Sequence, residues 1–306
     1  MKILLATEKP FAAEAVEGIE KIARDGGQEV VRLEKYSDKA DLLKAVGDVE
    51  GLIVRSDKVT AEVVAAAPKL KIVVRAGAGY DNVDLAACTA RGIVVMNTPG
   101  QNSNAVAELA LGLMVYMARN QFTAGSGTEL KGKTLGIHAY GNVGRLVGLL
   151  GKGFGMRVVA FDPFVADEQF ARDGVERIGS IEELYKHSDY LSLHIPVTPE
   201  TRQSIGYKLL MSMPKGATLV NTARKEVIDE TGLAEALAER ADLKYVTDIA
   251  ADSQAELNEK FGKRVFATPK KMGAETLEAN INAGLAAAAQ IVDFFTTGNT
   301  RFQVNK

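Results

Sequence analysis

Short apolar runs alternate with amphipathic segments along the whole chain. In the first hundred residues, these runs lie at 2–7, 29–33, 51–55, 71–77 and 93–97. A strand that is buried on both faces has a continuous apolar sequence, and its alternation with helical segments is typical of a parallel sheet. The pattern therefore predicts an α/β unit with helices on both faces of the sheet.

A second unit of the same kind is predicted after a long apolar helix at 104–120 and a polar, glycine-containing passage at 121–133. Further strands are predicted at 134–139, 156–162, 190–195, 217–222, 244–249 and 264–268. The last helix, within 274–298, is followed only by a short tail, so we assign it to the first unit. The predicted domains are residues 1–100 with 280–306, and residues 101–279.

Composition narrows the possible functions. The 306 residues carry a formal net charge of -2, with 46% hydrophobic and 25% charged residues, so nucleic acid and anionic membranes are not expected partners. A single cysteine, Cys88, excludes an internal disulfide and a cysteine metal cluster, and no metal site is predicted. The chain shows no signal peptide or membrane span. We expect a cytoplasmic protein that acts on a small molecule.

A glycine turn lies between a predicted strand and a predicted helix at 139–144, where the chain reads AYGNVG. It resembles the GxGxxG turn of dinucleotide-binding units, with Ala139 in place of the first glycine. Gly141 would let the backbone approach a pyrophosphate, and Gly144 would let the helix pack closely on the sheet. Alanine fits such a turn without strain only where its φ is negative.

The residues around this turn predict NAD as the cofactor. The amides of Asn142 and Val143 would point at the phosphates from the helix N-terminus, beside Tyr140. Asp162 follows Gly141 by 21 residues and would bind the ribose hydroxyls. A carboxylate there repels a 2'-phosphate, which favours NAD over NADP. The alternative interpretation is a tight turn in an α/β domain that binds no nucleotide.

Several longer segments resemble the D-2-hydroxyacid dehydrogenase family, and they occur in family order over nearly the whole chain. These segments are 75–84, 97–109, the glycine turn, 194–201, 220–230 and 246–249. The resemblance implies two Rossmann-like doubly wound parallel-sheet domains with the active site in the cleft between them. It also implies a homodimer formed through the nucleotide-binding domain.

The resemblance assigns roles to residues of the second domain. Arg224 matches the family's substrate arginine, whose planar fork suits a 2-hydroxy carboxylate. Asp248 matches the aspartate that receives the nicotinamide carboxamide. The remaining matches lie on the cofactor side, at Thr222, Ala223 and His194.

Family members that act on D-3-phosphoglycerate have cations in the first domain for its phosphate, and Arg55 and Arg75 match two of them. The neighbouring matches are donors at Ser56 and Asn102 and the backbone at Gly77 and Ala78, which would receive the carboxylate. The alternative is that both arginines merely end parallel strands.

The family's catalytic histidine is absent. Members read Thr-Pro-His-x-Gly at this segment, whereas Thr268 and Pro269 are followed here by two lysines. Counting back from Gly273 aligns Lys271 with the histidine, while counting forward from Pro269 aligns Lys270. We prefer Lys271 as the acid/base, with Gly273 on the cofactor side.

The glutamate that pairs with that histidine is also absent, and Ser253 stands in its place beside Asp252. A carboxylate raises the pKa of its partner, which suits an imidazole with a reference value of about 6.5 but not a lysine at about 10.4. Both changes together resemble a small lysine-type subgroup of the family that has no C-terminal regulatory domain. For the other histidines, His138 and His187, we expect structural roles.

The function implied by the resemblance is NAD-dependent oxidation of D-3-phosphoglycerate to 3-phosphohydroxypyruvate, the entry to L-serine biosynthesis. Two alternatives remain at this point. One keeps the fold and cofactor but is a glyoxylate, hydroxypyruvate or other D-2-hydroxyacid reductase. The other is an NAD-sensing protein that binds the cofactor without turnover.

Overall fold

The structure is a computed structural model that describes all 306 residues. It contains two compact units, Met1–Asn102 with Thr276–Lys306 (unit 1) and Ser103–Glu275 (unit 2). The sequence-based boundaries, after residues 100 and 279, lie a few residues from these. None of the helices has the length and apolar character needed to span a membrane.

The chain contains twelve strands and twelve α-helices. The strands are β1 (Lys2–Thr7), β2 (Glu29–Glu34), β3 (Gly51–Val54), β4 (Ile72–Arg75), β5 (Val94–Asn97), β6 (Thr134–His138), β7 (Arg157–Phe161), β8 (Glu176–Arg177), β9 (Tyr190–Leu193), β10 (Thr218–Asn221), β11 (Lys244–Thr247) and β12 (Val265–Ala267). The helices are α1 (Ala13–Asp25), α2 (Lys39–Ala45), α3 (Ala61–Ala66), α4 (Leu85–Ala90), α5 (Ser103–Ala118), α6 (Asn142–Gly153), α7 (Asp167–Asp173), α8 (Ile181–His187), α9 (Tyr207–Ser212), α10 (Glu230–Glu239), α11 (Gln254–Phe261) and α12 (Leu277–Thr297). Short 3₁₀ helices lie at Val46–Asp48, Asn120–Phe122, Lys225–Val227 and Gly262–Arg264.

Unit 1 is built on a parallel sheet of strand order β2-β1-β3-β4-β5. Successive residues of β1 alternate between two apolar clusters, with Leu4 in one and Ile3 and Leu5 in the other. Both faces of the sheet are therefore buried, which explains the continuous apolar runs. The C-terminal helix α12 adds Ala283 and Ala287 to the Ile3 side.

Unit 2 contains a seven-stranded parallel sheet of order β12-β11-β10-β9-β6-β7-β8. The strand order reverses at β6, because β7 lies on one side of it and β9 on the other. In doubly wound sheets, ligands bind outside the carboxyl ends of the strands at such a point. The predicted fold class, two parallel α/β domains, is confirmed. Only the two-residue strand β8, whose residues are exposed, was not predicted.

Candidate active site

The glycine turn lies at the switch point of unit 2, between the end of β6 and the start of α6. A Cβ added at Gly144 would lie 2.3 Å from the carbonyl oxygen of Ala139, so helix and turn can approach only with glycine there. A Cβ added at Gly141 would meet no atom within 4 Å. The protein's own packing thus requires Gly144, while the backbone at Gly141 faces open space.

Ala139, at the first position of the turn, has a φ of 77°. The condition for an unstrained alanine is therefore not met, and the residue adopts the left-handed conformation that glycine normally supplies. For an alanine this conformation costs about 1–2 kcal/mol. Two contacts hold it, because its N–H donates to the carbonyl of Phe161 at 2.9 Å and its side chain packs against the core of unit 2.

Asp162, directly after β7, binds the backbone of the glycine turn. Its buried carboxylate accepts hydrogen bonds from the backbone N–H of Tyr140 at 2.8 Å and of Phe164 at 2.9 Å. The Tyr140 side chain points away, since its ring stacks on Phe170 at 4.9 Å and its hydroxyl donates to Asp173 at 3.2 Å. Only the backbone of Tyr140 lies at the turn, so its side chain is part of the core.

These residues fit a dinucleotide. The amides of Asn142 and Val143 open α6, whose first turn holds no acidic side chain and whose N-cap, Gly141, offers no capping oxygen. The hydroxyl of Thr222, at the carboxyl end of β10, is buried without a hydrogen-bond partner in the protein. A buried unpaired hydroxyl is costly, and a cofactor at the strand ends would satisfy it.

The strand end that carries Arg224 is shaped by Asn221, which is fully buried. The Asn221 side chain donates to the carbonyl of Arg224 at 2.9 Å and accepts from the N–H of Ala223 at 3.0 Å. Arg224 itself donates from Nη1 to the Ala223 carbonyl at 2.9 Å. The arginine therefore projects from a tightly fixed backbone turn. Sequence reasoning did not single out Asn221.

The segment with the two lysines folds around the carboxylate of Asp248, which is 1% exposed. Asp248 accepts hydrogen bonds from the backbone N–H of Met272 at 2.7 Å and of Gly273 at 2.8 Å, and from the Thr268 hydroxyl at 2.9 Å. We call residues 268–273 the lysine loop. Both of its lysines are exposed. The resemblance assigned Asp248 to the nicotinamide carboxamide, but here both carboxylate oxygens bind the lysine loop.

Ser253 stands where family members have a glutamate, and it contacts a carboxylate from another element. Its hydroxyl donates to Glu230 Oε2 at 2.6 Å, and its N–H donates to the same oxygen at 2.8 Å. The N–H of Asp252 donates to Glu230 Oε1 at 2.8 Å. Glu230, the first residue of α10, thus anchors the segment after Asp248. Nothing in the sequence pattern pointed to it.

His138 and His194 lie at the carboxyl ends of the adjacent strands β6 and β9. The His138 ring packs edge to face against Phe161 and Tyr185, and burial lowers its pKa to about 4. Burial likewise lowers the pKa of His194 to about 3, and its Nε2 lies 2.9 Å from the Ser192 hydroxyl. Both rings are neutral at physiological pH. The third histidine, His187, is exposed on α8.

In unit 1, two arginines meet at the carboxyl ends of the adjacent strands β3 and β4. Arg75 Nε donates to the carbonyl of Arg55 at 3.0 Å. Its guanidinium lies across Gly77, where an added Cβ would be 1.6 Å from Nη1; glycine also suits the φ of 149°. The Ala78 carbonyl accepts from Asn97 at 2.6 Å, Ser56 is exposed and Asn102 is half-buried. Arg55, Arg75 and Gly77 therefore lie together at the carboxyl ends of β3 and β4.

A doubly wound sheet with a glycine turn at its switch point and an acid at the end of the next strand defines a dinucleotide-binding protein. The sequence model described as D-isomer specific 2-hydroxyacid dehydrogenase, NAD binding domain, matches residues 109–270. The chain belongs to this family, as the sequence predicts. The prediction of an NAD-binding domain is confirmed as well.

Relatives with related names match most of the chain. D-3-phosphoglycerate dehydrogenase of Methanocaldococcus jannaschii is 41% identical over 268 residues, which are 83% of this chain and 51% of the relative. The enzyme of the same name from Homo sapiens is 39% identical over 291 residues, 89% of this chain and 54% of the relative. The chain thus spans about half the length of these curated relatives.

Among solved structures, the chain is similar to NAD⁺-bound 3-phosphoglycerate dehydrogenase of Entamoeba histolytica. The two are 52% identical with a TM-score of 0.91, over 100% of this chain and 99% of the other. D-2-hydroxyisocaproate dehydrogenase, at 24% identity and a TM-score of 0.82, shares the fold.

Proposed function

We propose that the protein oxidises D-3-phosphoglycerate to 3-phosphohydroxypyruvate with NAD, the first step of L-serine biosynthesis. The observation that supports this most is the joined pair Arg55 and Arg75 at adjacent strand ends of unit 1. The substrate carries close to three negative charges, and two guanidiniums match a phosphate in charge and geometry. The names of the relatives agree with this choice.

Substrate binding and proton transfer are assigned to different residues. Arg224 holds the substrate carboxylate and polarises the oxygen on C2, while Arg55 and Arg75 hold the phosphate. The backbone at Gly77 and Ala78, with Ser56 and Asn102, completes the substrate contacts. Lys271, in its neutral form, takes the hydroxyl proton as the C2–H bond breaks.

When bound, NAD accepts the hydride from C2. The residues that would hold it are the turn at 139–144, Asp162, His194, Thr222, Ala223 and Gly273. Asp248 acts here through the lysine loop. Because a protonated lysine cannot accept a proton, turnover should rise toward alkaline pH.

The choice between the two lysines is tested with a matched pair of variants. We expect Lys271→Met to lower kcat by about 10²-fold or more with little change in KM, the usual size of an acid/base contribution. Lys270→Met, one position away and also exposed, should keep kcat within about twofold. The measurement is steady-state NADH formation from D-3-phosphoglycerate. Loss of turnover in Lys270→Met alone would reverse the assignment.

We further propose a cytoplasmic homodimer formed through unit 2. In support, unit 2 exposes several large apolar side chains, namely Phe122, Leu149, Phe154 and Phe164. Burial of these side chains against a second copy would remove their apolar surface from water. Sedimentation velocity should give twice the 32.7 kDa chain mass, and a monomer at micromolar concentration would contradict the dimer.

A further inference from the structure

The Arg55 guanidinium is fixed by two neutral groups. It lies over the Phe11 ring, 5.2 Å from the ring centre, and Nη2 donates to the side-chain oxygen of Asn280. The Arg55 backbone is tied as well, since its carbonyl accepts from Asn82 at 3.3 Å as well as from Arg75. All of these groups belong to unit 1.

Asn280 has its own orientation fixed. Its Nδ2 donates to the carbonyl of Thr276 at 2.8 Å, and its backbone N–H donates to the same oxygen at 3.1 Å. Thr276 is the N-cap of α12 and accepts from the N–H of Ala279 at 3.1 Å. With the NH₂ group held on Thr276, only the amide oxygen of Asn280 can face Arg55.

The neutral acceptor has an electrostatic consequence. An amide oxygen orients a guanidinium without cancelling its charge, whereas a carboxylate at the same place would form an ion pair. The phenyl face of Phe11 likewise leaves the charge uncompensated. Since a guanidinium has five N–H donors and Asn280 takes one, the remaining donors can bind an anion in the bidentate manner that phosphate favours.

We propose that Asn280 is a positioning residue that orients Arg55 for the substrate phosphate and so sets the preference for phosphorylated over unphosphorylated 2-hydroxy acids. This inference rests on the proposed function. Asn280 does not touch the reacting atoms. It acts through Arg55, and its effect therefore appears in KM for the phosphorylated substrate.

The test uses the isosteric change Asn280→Asp on the full chain. We expect KM for D-3-phosphoglycerate to rise about tenfold or more, with kcat within about twofold, because the new carboxylate pairs with Arg55 and competes with the phosphate. The kcat/KM for D-glycerate, which has no phosphate, should stay within about twofold. A carboxylate in the first turn of α12 favours the helix, so the fold should persist.

Two further variants keep the result interpretable. Asn258→Asp, on the exposed surface of α11, introduces the same charge at a side chain whose oxygen accepts from Gln254, and it should leave the kinetics with both substrates unchanged. Asn280→Ala removes the acceptor without adding charge, and it should raise KM for D-3-phosphoglycerate by a smaller factor. In an Arg55→Ala background, Asn280→Asp should cause no further rise, since both act through one guanidinium.

The outcomes separate the two proposals. Unchanged KM for D-3-phosphoglycerate in both Asn280 variants overturns the inference, and so does an equal loss of kcat/KM on both substrates, which indicates a merely structural role. If the unaltered protein does not oxidise D-3-phosphoglycerate at all, the proposed function itself is wrong.

Discussion

Ala139 is the residue at which the turn departs most from an unstrained backbone. Its φ of 77° belongs to glycine, yet a methyl group is present. Gly141, two residues further on, has a φ of -82° and open space around it, so the protein's own fold does not require glycine there. Ala139 is therefore strained although it is not a glycine, whereas Gly141 has a conformation that any residue could adopt.

This contrast predicts opposite effects of two single substitutions. Ala139→Gly should raise the free energy of unfolding by up to about 1 kcal/mol, because relief of about 1–2 kcal/mol of strain exceeds glycine's greater entropy in the unfolded chain. Gly141→Ala should change the free energy of unfolding by less than about 0.5 kcal/mol but weaken NAD binding about tenfold or more, since a methyl group would occupy the space beside the pyrophosphate.

Denaturant unfolding and NADH fluorescence titration measure the two quantities on the same samples. Unchanged NAD affinity in Gly141→Ala would mean that the cofactor does not approach this backbone. A destabilised Ala139→Gly would mean that the packing of the Ala139 methyl outweighs its strain.

At the scale of elements, the lysine loop depends on the end of β11. Asp248 follows this strand directly and binds residues at both ends of the loop. A buried carboxylate that accepts three hydrogen bonds fixes the backbone it binds, and the two lysines project from that backbone. The loop's geometry is therefore set by a side chain twenty or more positions earlier in the chain.

Asp248→Asn should lower kcat about tenfold or more while NAD and ADP-ribose bind with unchanged affinity. An amide retains one acceptor and cannot serve all three donors, so the lysines lose their orientation but the nucleotide site does not. Thr268→Val removes one donor and should give the same pattern at smaller size.

Calorimetric titration of Asp248→Asn with NAD and with ADP-ribose measures the two affinities. If Asp248→Asn weakens NAD but not ADP-ribose, the side chain contacts the nicotinamide carboxamide, as the family resemblance implied.

Much of the element pattern was predictable from sequence because most strands of both sheets, the edge strands β2 and β8 apart, are largely buried and read as apolar runs. The strand β8 was not predicted because its two residues are exposed and form no apolar run. The glycine turn and Asp162 were found because their spacing is local. Contacts between distant positions were not, such as Glu230 with Ser253, 23 residues apart, and Asn280 with Arg55, 225 apart. Such pairs leave no periodic signal in a single sequence.

At the scale of the whole molecule, two neutral histidines, the buried His138 and the half-buried His194, make stability depend on pH. In the unfolded chain their pKa is about 6.5, whereas in the native state it is about 4 for His138 and about 3 for His194. As pH falls below 6.5, the unfolded chain binds protons that the native state does not, so the free energy of unfolding decreases. Once pH passes the native pKa values, this contribution stops changing.

We therefore expect the free energy of unfolding to fall by about 2 kcal/mol for each of the two histidines between pH 6.5 and pH 4.5. Carboxylates with lowered pKa, such as Asp48 at about 2, contribute mainly below this window. His194→Asn should reduce the slope, while the exposed His187→Gln should not. Urea unfolding at several pH values measures the free energy of unfolding. A free energy that stays constant across this window would show that neither ring is held in its neutral form by the fold.

We propose that the chain is an NAD-dependent dehydrogenase that selects a phosphorylated 2-hydroxy acid. The most direct measurement compares kcat/KM for NADH formation from D-3-phosphoglycerate and from D-glycerate under the same conditions. We expect the phosphorylated substrate to be favoured by at least about 10²-fold, because Arg55 and Arg75 lie together at adjacent strand ends, where their guanidiniums would attract its phosphate. Equal rates on both substrates, or tight NAD binding without turnover of either, would show that this assignment is wrong.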